Sequence, residues 1–188
     1  MHVLVSGANG YLGSVLMPAL LTAPHITRVT ALVRQPSRFA NVPFLAGCQL
    51  MDLASCLRGE ADLRGIDIFC HLASCRDGTR PVEVASSLAL TCELATLSLR
   101  HGVRGFVNAS THAVYGQVPL PWREETPVGP ITSYGMAKYA SELLVKNLFS
   151  GTPDRGAISL RLAKLVGPAP LFRVEPSELP HLLAHHAL

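Results

Sequence analysis

The chain has 188 residues, 48% of them hydrophobic and 15% charged, with a formal net charge of +3 at pH 7. That is enough apolar chain to bury one sizeable core, and it argues against intrinsic disorder. Lys and Arg are scattered singly, which argues against nucleic-acid or membrane-surface binding, and no apolar run approaches the roughly 20 residues that span a bilayer.

The N-terminus lacks a basic region followed by an unbroken apolar block, because Gly7, Gly10 and Gly13 interrupt it, so no secretory signal is expected. Five cysteines, an odd number without a C-x-x-C pair, read as reduced thiols of a cytoplasmic protein, with Cys75 the one candidate for reactivity.

In chain order, Val3, Leu4 and Val5 suit a strand buried on both faces of a parallel sheet. The glycines at 7, 10 and 13 follow it and open a helix over Tyr11–Leu21, in which Pro18 would introduce a kink. A glycine turn between strand and helix lets the backbone approach a pyrophosphate, with the N–H groups of the helix start facing the anion. Gly7, Asn9, Gly10, Tyr11, Leu12 and Gly13 are therefore candidate cofactor-binding residues. Further strands are expected at Arg28–Val33, Cys48–Leu53, Ile66–Ala73, Gly105–Ser110 and Ala157–Leu162, and helices at Pro81–His101 and Ser133–Leu148. Gly102 is a stop signal for the first of these helices. Strands alternating with helices imply an α/β fold, a doubly wound parallel sheet with helices on both faces. The ligand crevice of such a sheet lies beyond the carboxyl ends of its strands.

Arg34 follows the second strand where an acidic residue would hold the ribose hydroxyls of NAD. A guanidinium there suits the 2′-phosphate of NADP, which is favoured over the reading of Arg34 and Arg38 as solvated loop charges. Asp52 ends the third strand as an acceptor for an adenine amino group or as a helix N-cap. His71, in an apolar strand, reads as a structural histidine beside the crevice. The terminal His181, His185 and His186 read as solvated rather than metal-binding, and no metal site is expected.

Thr111, Tyr134 and Lys138 carry the chemistry. The Y-x-x-x-K spacing puts Tyr134 and Lys138 one turn apart on one helix face. A phenol, with an unperturbed pKa of about 10, is a poor base near neutrality, and a neighbouring ammonium favours its phenolate. Thr111, at a strand end, offers a hydroxyl to hold a substrate oxygen in line with Tyr134. Without its context the same pattern describes an amphipathic helix with a half-buried Tyr and a solvated Lys.

The motifs GANGYLG at 7–13, HLAS at 71–74, STHAVYG at 110–116, SYGMAK at 133–138 and LRLAKLVGP at 160–168 occur together in this order. In this the chain resembles an extended short-chain dehydrogenase/reductase of the NAD(P)-dependent epimerase/dehydratase family, which includes UDP-glucose 4-epimerase. The resemblance implies a Rossmann domain over 1–168 with a short tail or helix over 169–188. It implies Tyr134 as acid/base, Lys138 on the nicotinamide ribose and Thr111 on the reacting oxygen. Leu53, Leu72, Ala73, Ser74 and Ala109 would line the dinucleotide with Asp52 and Arg34. The implied cofactor is NADP or NAD and the implied substrate a small hydroxyl or ketone compound, such as a nucleotide-sugar. Relatives dimerise through the two long helices, and Leu88, Leu90, Leu94, Leu97 and Leu99 give the first of them more apolar surface than one core face requires.

Two positions depart from the family pattern. Ser87 stands where many relatives carry Asn, and Lys164 replaces the Asn of R-x-x-N after Arg161. The chain also ends before the substrate-binding portion of its relatives, so two functions are expected from the sequence. One is an oxidoreductase or epimerase working through Tyr134, Lys138 and Thr111. The other is a shortened dinucleotide-binding sensor, scaffold or partner subunit.

Overall fold

The computed structural model describes residues 1–75 and 79–165. Six strands form one parallel sheet: β1 (His2–Ser6), β2 (Arg28–Val33), β3 (Gln49–Asp52), β4 (Ile68–His71), β5 (Gly105–Thr111) and β6 (Gly156–Leu162). Their spatial order is β3-β2-β1-β4-β5-β6, so the chain reverses its winding between β1 and β4. That switch point opens a crevice at the carboxyl ends of both strands, and it makes the fold Rossmann-like.

Alternation along β1 builds two cores. Leu4 joins Leu32, Phe69, Phe106, Leu94, Val145 and Phe149 on the face covered by α2 (Leu53–Leu57), α3 (Pro81–Arg100) and α4 (Ser133–Phe149). Val3 and Val5 point the other way, into a cluster with Met17 of α1 (Tyr11–Thr22), Ala31, Val33 and Leu45. Leu4 and Val5 are both fully buried, as a strand covered on both faces requires. Each such side chain contributes roughly 1.5–3 kcal/mol of burial.

Several boundaries differ from expectation for physical reasons. β4 starts at Ile68 rather than Ile66; just before it, the Asp67 carboxylate accepts the His2 N–H at 2.8 Å. It stops at His71, after which only Leu72 N–H still donates to Ser6 O, at 3.1 Å. β3 ends at Asp52 because that carboxylate accepts Ser55 N–H at 3.0 Å and starts α2, a helix the sequence reading missed. Pro18 does not end α1, which runs on to Thr22. α3 is 20 residues and, by length and composition alone, apolar enough to cross a membrane, contrary to the expectation that no stretch is. In this fold Val84, Thr91, Leu94, Ala95 and Ser98 of α3 are buried.

The surplus leucines of α3 do not form the free face expected of them. Leu94 is fully buried, and Leu90, Leu97 and Leu99 pack partly against the same core. The exposed apolar side chains of the helix pair are Val82, Met136, Leu143 and Leu144. Residues 166–188, which include the expected tail and His181, His185 and His186, lie outside the described residues.

Candidate active site

The glycine turn is shaped first by its own neighbours. Gly7 sits at φ +71°, in the left-handed region, and a Cβ there would lie 2.7 Å from Ala73 N and 2.9 Å from the Leu72 carbonyl carbon. A Cβ on Gly13 would lie 2.3 Å from Ala8 O. These two glycines thus allow β1, α1 and the chain after β4 to meet. Gly10 is different: its extended backbone is the α1 N-cap, and an added Cβ would meet nothing closer than Gly7 O at 3.0 Å. No side chain caps the helix and its first turn holds no acidic residue. An open, uncapped helix start of this kind fits a pyrophosphate.

Leu72 and Ala73, just past β4, lie against this turn at Gly7, and Ser74 follows them. Asp52 and Leu53 sit at the β3–α2 junction, where the Leu53 side chain packs partly on the core and the Asp52 carboxylate serves as an N-cap. Arg34 is exposed immediately after β2.

His71 is fully buried and structural. Thr91 donates its only hydroxyl proton to Ser87 O at 3.0 Å, so it accepts from His71 Nε2 at 2.9 Å. The ring therefore carries its hydrogen on Nε2, and Nδ1 accepts from Ser6 Oγ at 2.7 Å. Burial, with the Lys138 charge adding to it, lowers the His71 pKa to about 3. Ser87 continues this chain of hydroxyls: it accepts Cys75 N–H at 3.1 Å and donates to Ser74 Oγ at 3.3 Å. Ser87 thus ties Ser74 and Cys75 to α3 beside the crevice.

The second half of the site lies where β5 meets α4. Thr111 ends β5, is 8% exposed and accepts Ala113 N–H at 3.2 Å, which leaves its hydroxyl proton available to a ligand. Tyr134 is half-buried in the first turn of α4, which Thr132 caps by accepting Gly135 N–H at 3.0 Å. Gly135, which the sequence reading passed over, brings the two together. A Cβ at 135 would lie 2.8 Å from Ala113 O, so only glycine lets the start of α4 press against the turn that follows Thr111. The same turn is held from the other side by Gly129 N–H donating to Val114 O at 3.0 Å.

Lys138 is 6% exposed, and its Nζ donates to Ala109 O at 2.7 Å and stands 6.0 Å from the centre of the Tyr134 ring. Burial lowers its pKa to about 8, against which Glu142 acts, so the ammonium persists at neutral pH. Ala109, expected to line the dinucleotide, offers its carbonyl to Lys138. Tyr134, Lys138, Ser74, Cys75 and Ser87 line one cleft between α3 and α4.

A six-stranded parallel sheet in this order, with an open glycine turn at its switch point, is the fold of dinucleotide-binding proteins of the Rossmann class. The sequence pattern of the "NAD dependent epimerase/dehydratase family" matches residues 3–187, and the chain belongs to that family. It is 34% identical to the dTDP-glucose 4,6-dehydratase of Streptomyces niveus over 162 residues, which are 77% of this chain and 48% of that protein. Among solved structures, the UDP-glucose 4-epimerase of Thermotoga maritima, determined with UDP-glucose, matches with a TM-score of 0.79 and 23% identity over 95% of this chain and 61% of that one. The UDP-glucuronic acid 4-epimerase of Bacillus cereus, in complex with NAD, matches at 0.73 and 22% over 90% and 58%. At those identities the likeness is one of fold. The chain spans about half the length of the curated relatives it matches.

Proposed function

We propose that this chain carries the dinucleotide-binding and proton-transfer half of an NAD(P)-dependent epimerase or dehydratase acting on a nucleotide-sugar. The observation that carries this reading is the buried Lys138 ammonium, fixed on Ala109 O one helical turn from Tyr134 and 6.0 Å from its ring centre. A bound nicotinamide would supply a reversible acceptor for hydride. The other tasks fall to the chain. The helix start at Gly10 binds the pyrophosphate. Lys138 favours the Tyr134 phenolate and reaches the nicotinamide ribose. Tyr134 takes the proton of the substrate hydroxyl as its carbon is oxidised and gives it back on reduction. Thr111 donates its hydroxyl hydrogen to the same substrate oxygen.

The relatives' names favour nucleotide-sugar substrates and NAD. Arg34, exposed just after β2, is the feature that favours NADP. The five free thiols suit a reducing, cytoplasmic setting. A silent dinucleotide-binding subunit is the weaker reading, because such a role gives no reason to keep Tyr134 one turn from a buried Lys138. The test is conversion of UDP-glucose or dTDP-glucose in the presence of NAD, with NADP in parallel. Product formed by the wild type and lost in Tyr134→Phe supports the proposal, and equal conversion by both contradicts it.

A further inference from the structure

The two faces of the sheet are not covered alike. On the face of Leu4 the apolar core runs from Leu32 of β2 through Phe69 and Phe106 to Ala157 of β6. On the face of Val3 and Val5 the core reaches Ile68 and Cys70 of β4 and stops there. The apolar row itself continues. Cys70 pairs with Val107 of β5, Val107 pairs with Ile158 of β6, and two residues further along Ala109 pairs with Leu160. Residues paired in register share a face of the sheet, as do alternate residues of one strand. Val107 is half-buried, and Ile158 and Leu160 are 55% and 43% exposed.

Single exposed apolar side chains are ordinary on a protein surface, but these two extend a buried row on a parallel sheet, the kind of sheet that is covered on both faces. α1 packs on β2 and the turn at Pro43–Leu45, on the far side of β1 and β4 from this strip. At roughly 3.3 Å per residue, the seven residues of β6 run about 23 Å. A helical segment of about 13 residues spans about 20 Å of that length. The chain that leaves β6 carries a sequence of this kind. Residues 163–188 follow the carboxyl end of the strand, and the family pattern continues through residue 187. Leu179, Leu182 and Leu183 recur at the i, i+3, i+4 spacing of one apolar stripe, and His181 and His185 fall opposite it.

We propose that residues 179–188 of this same chain cover the strip, with Leu179, Leu182 and Leu183 packed on Ile158 and Leu160. A segment tethered to the end of β6 meets the strip at high effective concentration, whereas a second copy or a separate partner must find it in solution. Thr111 stands on the same face, in register with Leu162, so the strip ends beside the candidate site. The inference does not depend on the reading of Tyr134 and Lys138 as the working pair, and its test needs no turnover.

Methyl NMR of the full chain, labelled at isoleucine and leucine methyls, reads the contact directly. The chain has five isoleucines, so the δ1 methyl of Ile158 is assigned by its loss in Ile158→Val. That methyl should show cross-relaxation to leucine methyls that disappears in Leu179→Val, Leu182→Val or Leu183→Val, each of which keeps the position apolar. If every leucine contact of Ile158 survives all three substitutions, or if Ile158 has none, the proposal is overturned. A sample mixed from isoleucine-labelled and leucine-labelled chains separates the remaining case. Cross-relaxation from Ile158 in that sample can only pass between molecules; its presence assigns the strip to a second copy and overturns the proposal, and its absence, with the contact present in the doubly labelled chain, supports it.

Discussion

Burial and the nearby Lys138 ammonium push His71 down to about 3, so the folded protein holds a neutral imidazole where the unfolded chain, near 6.5, takes up a proton. A folded pKa below the unfolded one contributes stability that is complete above about pH 6.5 and lost as the pH falls toward 3. The loss approaches, at most, about 1.4 kcal/mol per pH unit within that window. Urea unfolding of wild type and His71→Gln at pH 7, 5 and 4 measures it. The wild type should lose more stability on acidification than the variant, and parallel losses would show that His71 is not the buried neutral group described. Its apolar neighbours Phe69, Cys70 and Leu72 made this role legible from sequence. The partners were not, since Ser6 and Thr91 stand 65 and 20 residues away. Lys138 and Glu142 were harder still: charged residues on a helix normally face water, and only the packed structure shows both turned inward.

Elements, rather than single side chains, set the distance between the two hydroxyls of the site. The turn after β5 carries Thr111, the first turn of α4 carries Tyr134, and the contact at Gly135 and Ala113 O holds them together. Gly135→Ala leaves the helix intact but drives a methyl into that carbonyl. The start of α4 must then retreat, and a displacement on the order of 1 Å between reacting groups costs roughly 100-fold in turnover. Dinucleotide affinity, which depends on the distant β1–α1 turn, should change little. A kinetic and fluorescence comparison of Gly135→Ala with wild type measures both, and full activity in the variant would contradict the packing argument. A glycine one residue after the tyrosine carries no such message in the sequence, because the close approach it permits depends on a loop that returns from residue 129. The strands and long helices, by contrast, were legible from apolar runs and stop signals. The short α2 was missed because five residues give no period, and its one signal, Asp52, has two meanings.

At the scale of the whole molecule, the sheet order puts the glycine turn and the Tyr–Lys pair on the same carboxyl edge, though 124 residues separate Gly10 from Tyr134 in sequence. The helix pair behind the site leaves Val82, Met136, Leu143 and Leu144 exposed. A symmetric dimer through α3 and α4 is proposed as their cover, in place of the leucines first expected there. Sedimentation should show a dimer that Leu143→Asp converts to a monomer, and a monomeric wild type would remove the proposal. The central claim, however, is that one fold edge joins cofactor binding to proton transfer. It is tested most directly by measuring NAD binding and nucleotide-sugar conversion together in wild type and Tyr134→Phe. The account predicts that the variant binds NAD as the wild type does and converts no substrate; conversion at the wild-type rate by Tyr134→Phe would contradict it.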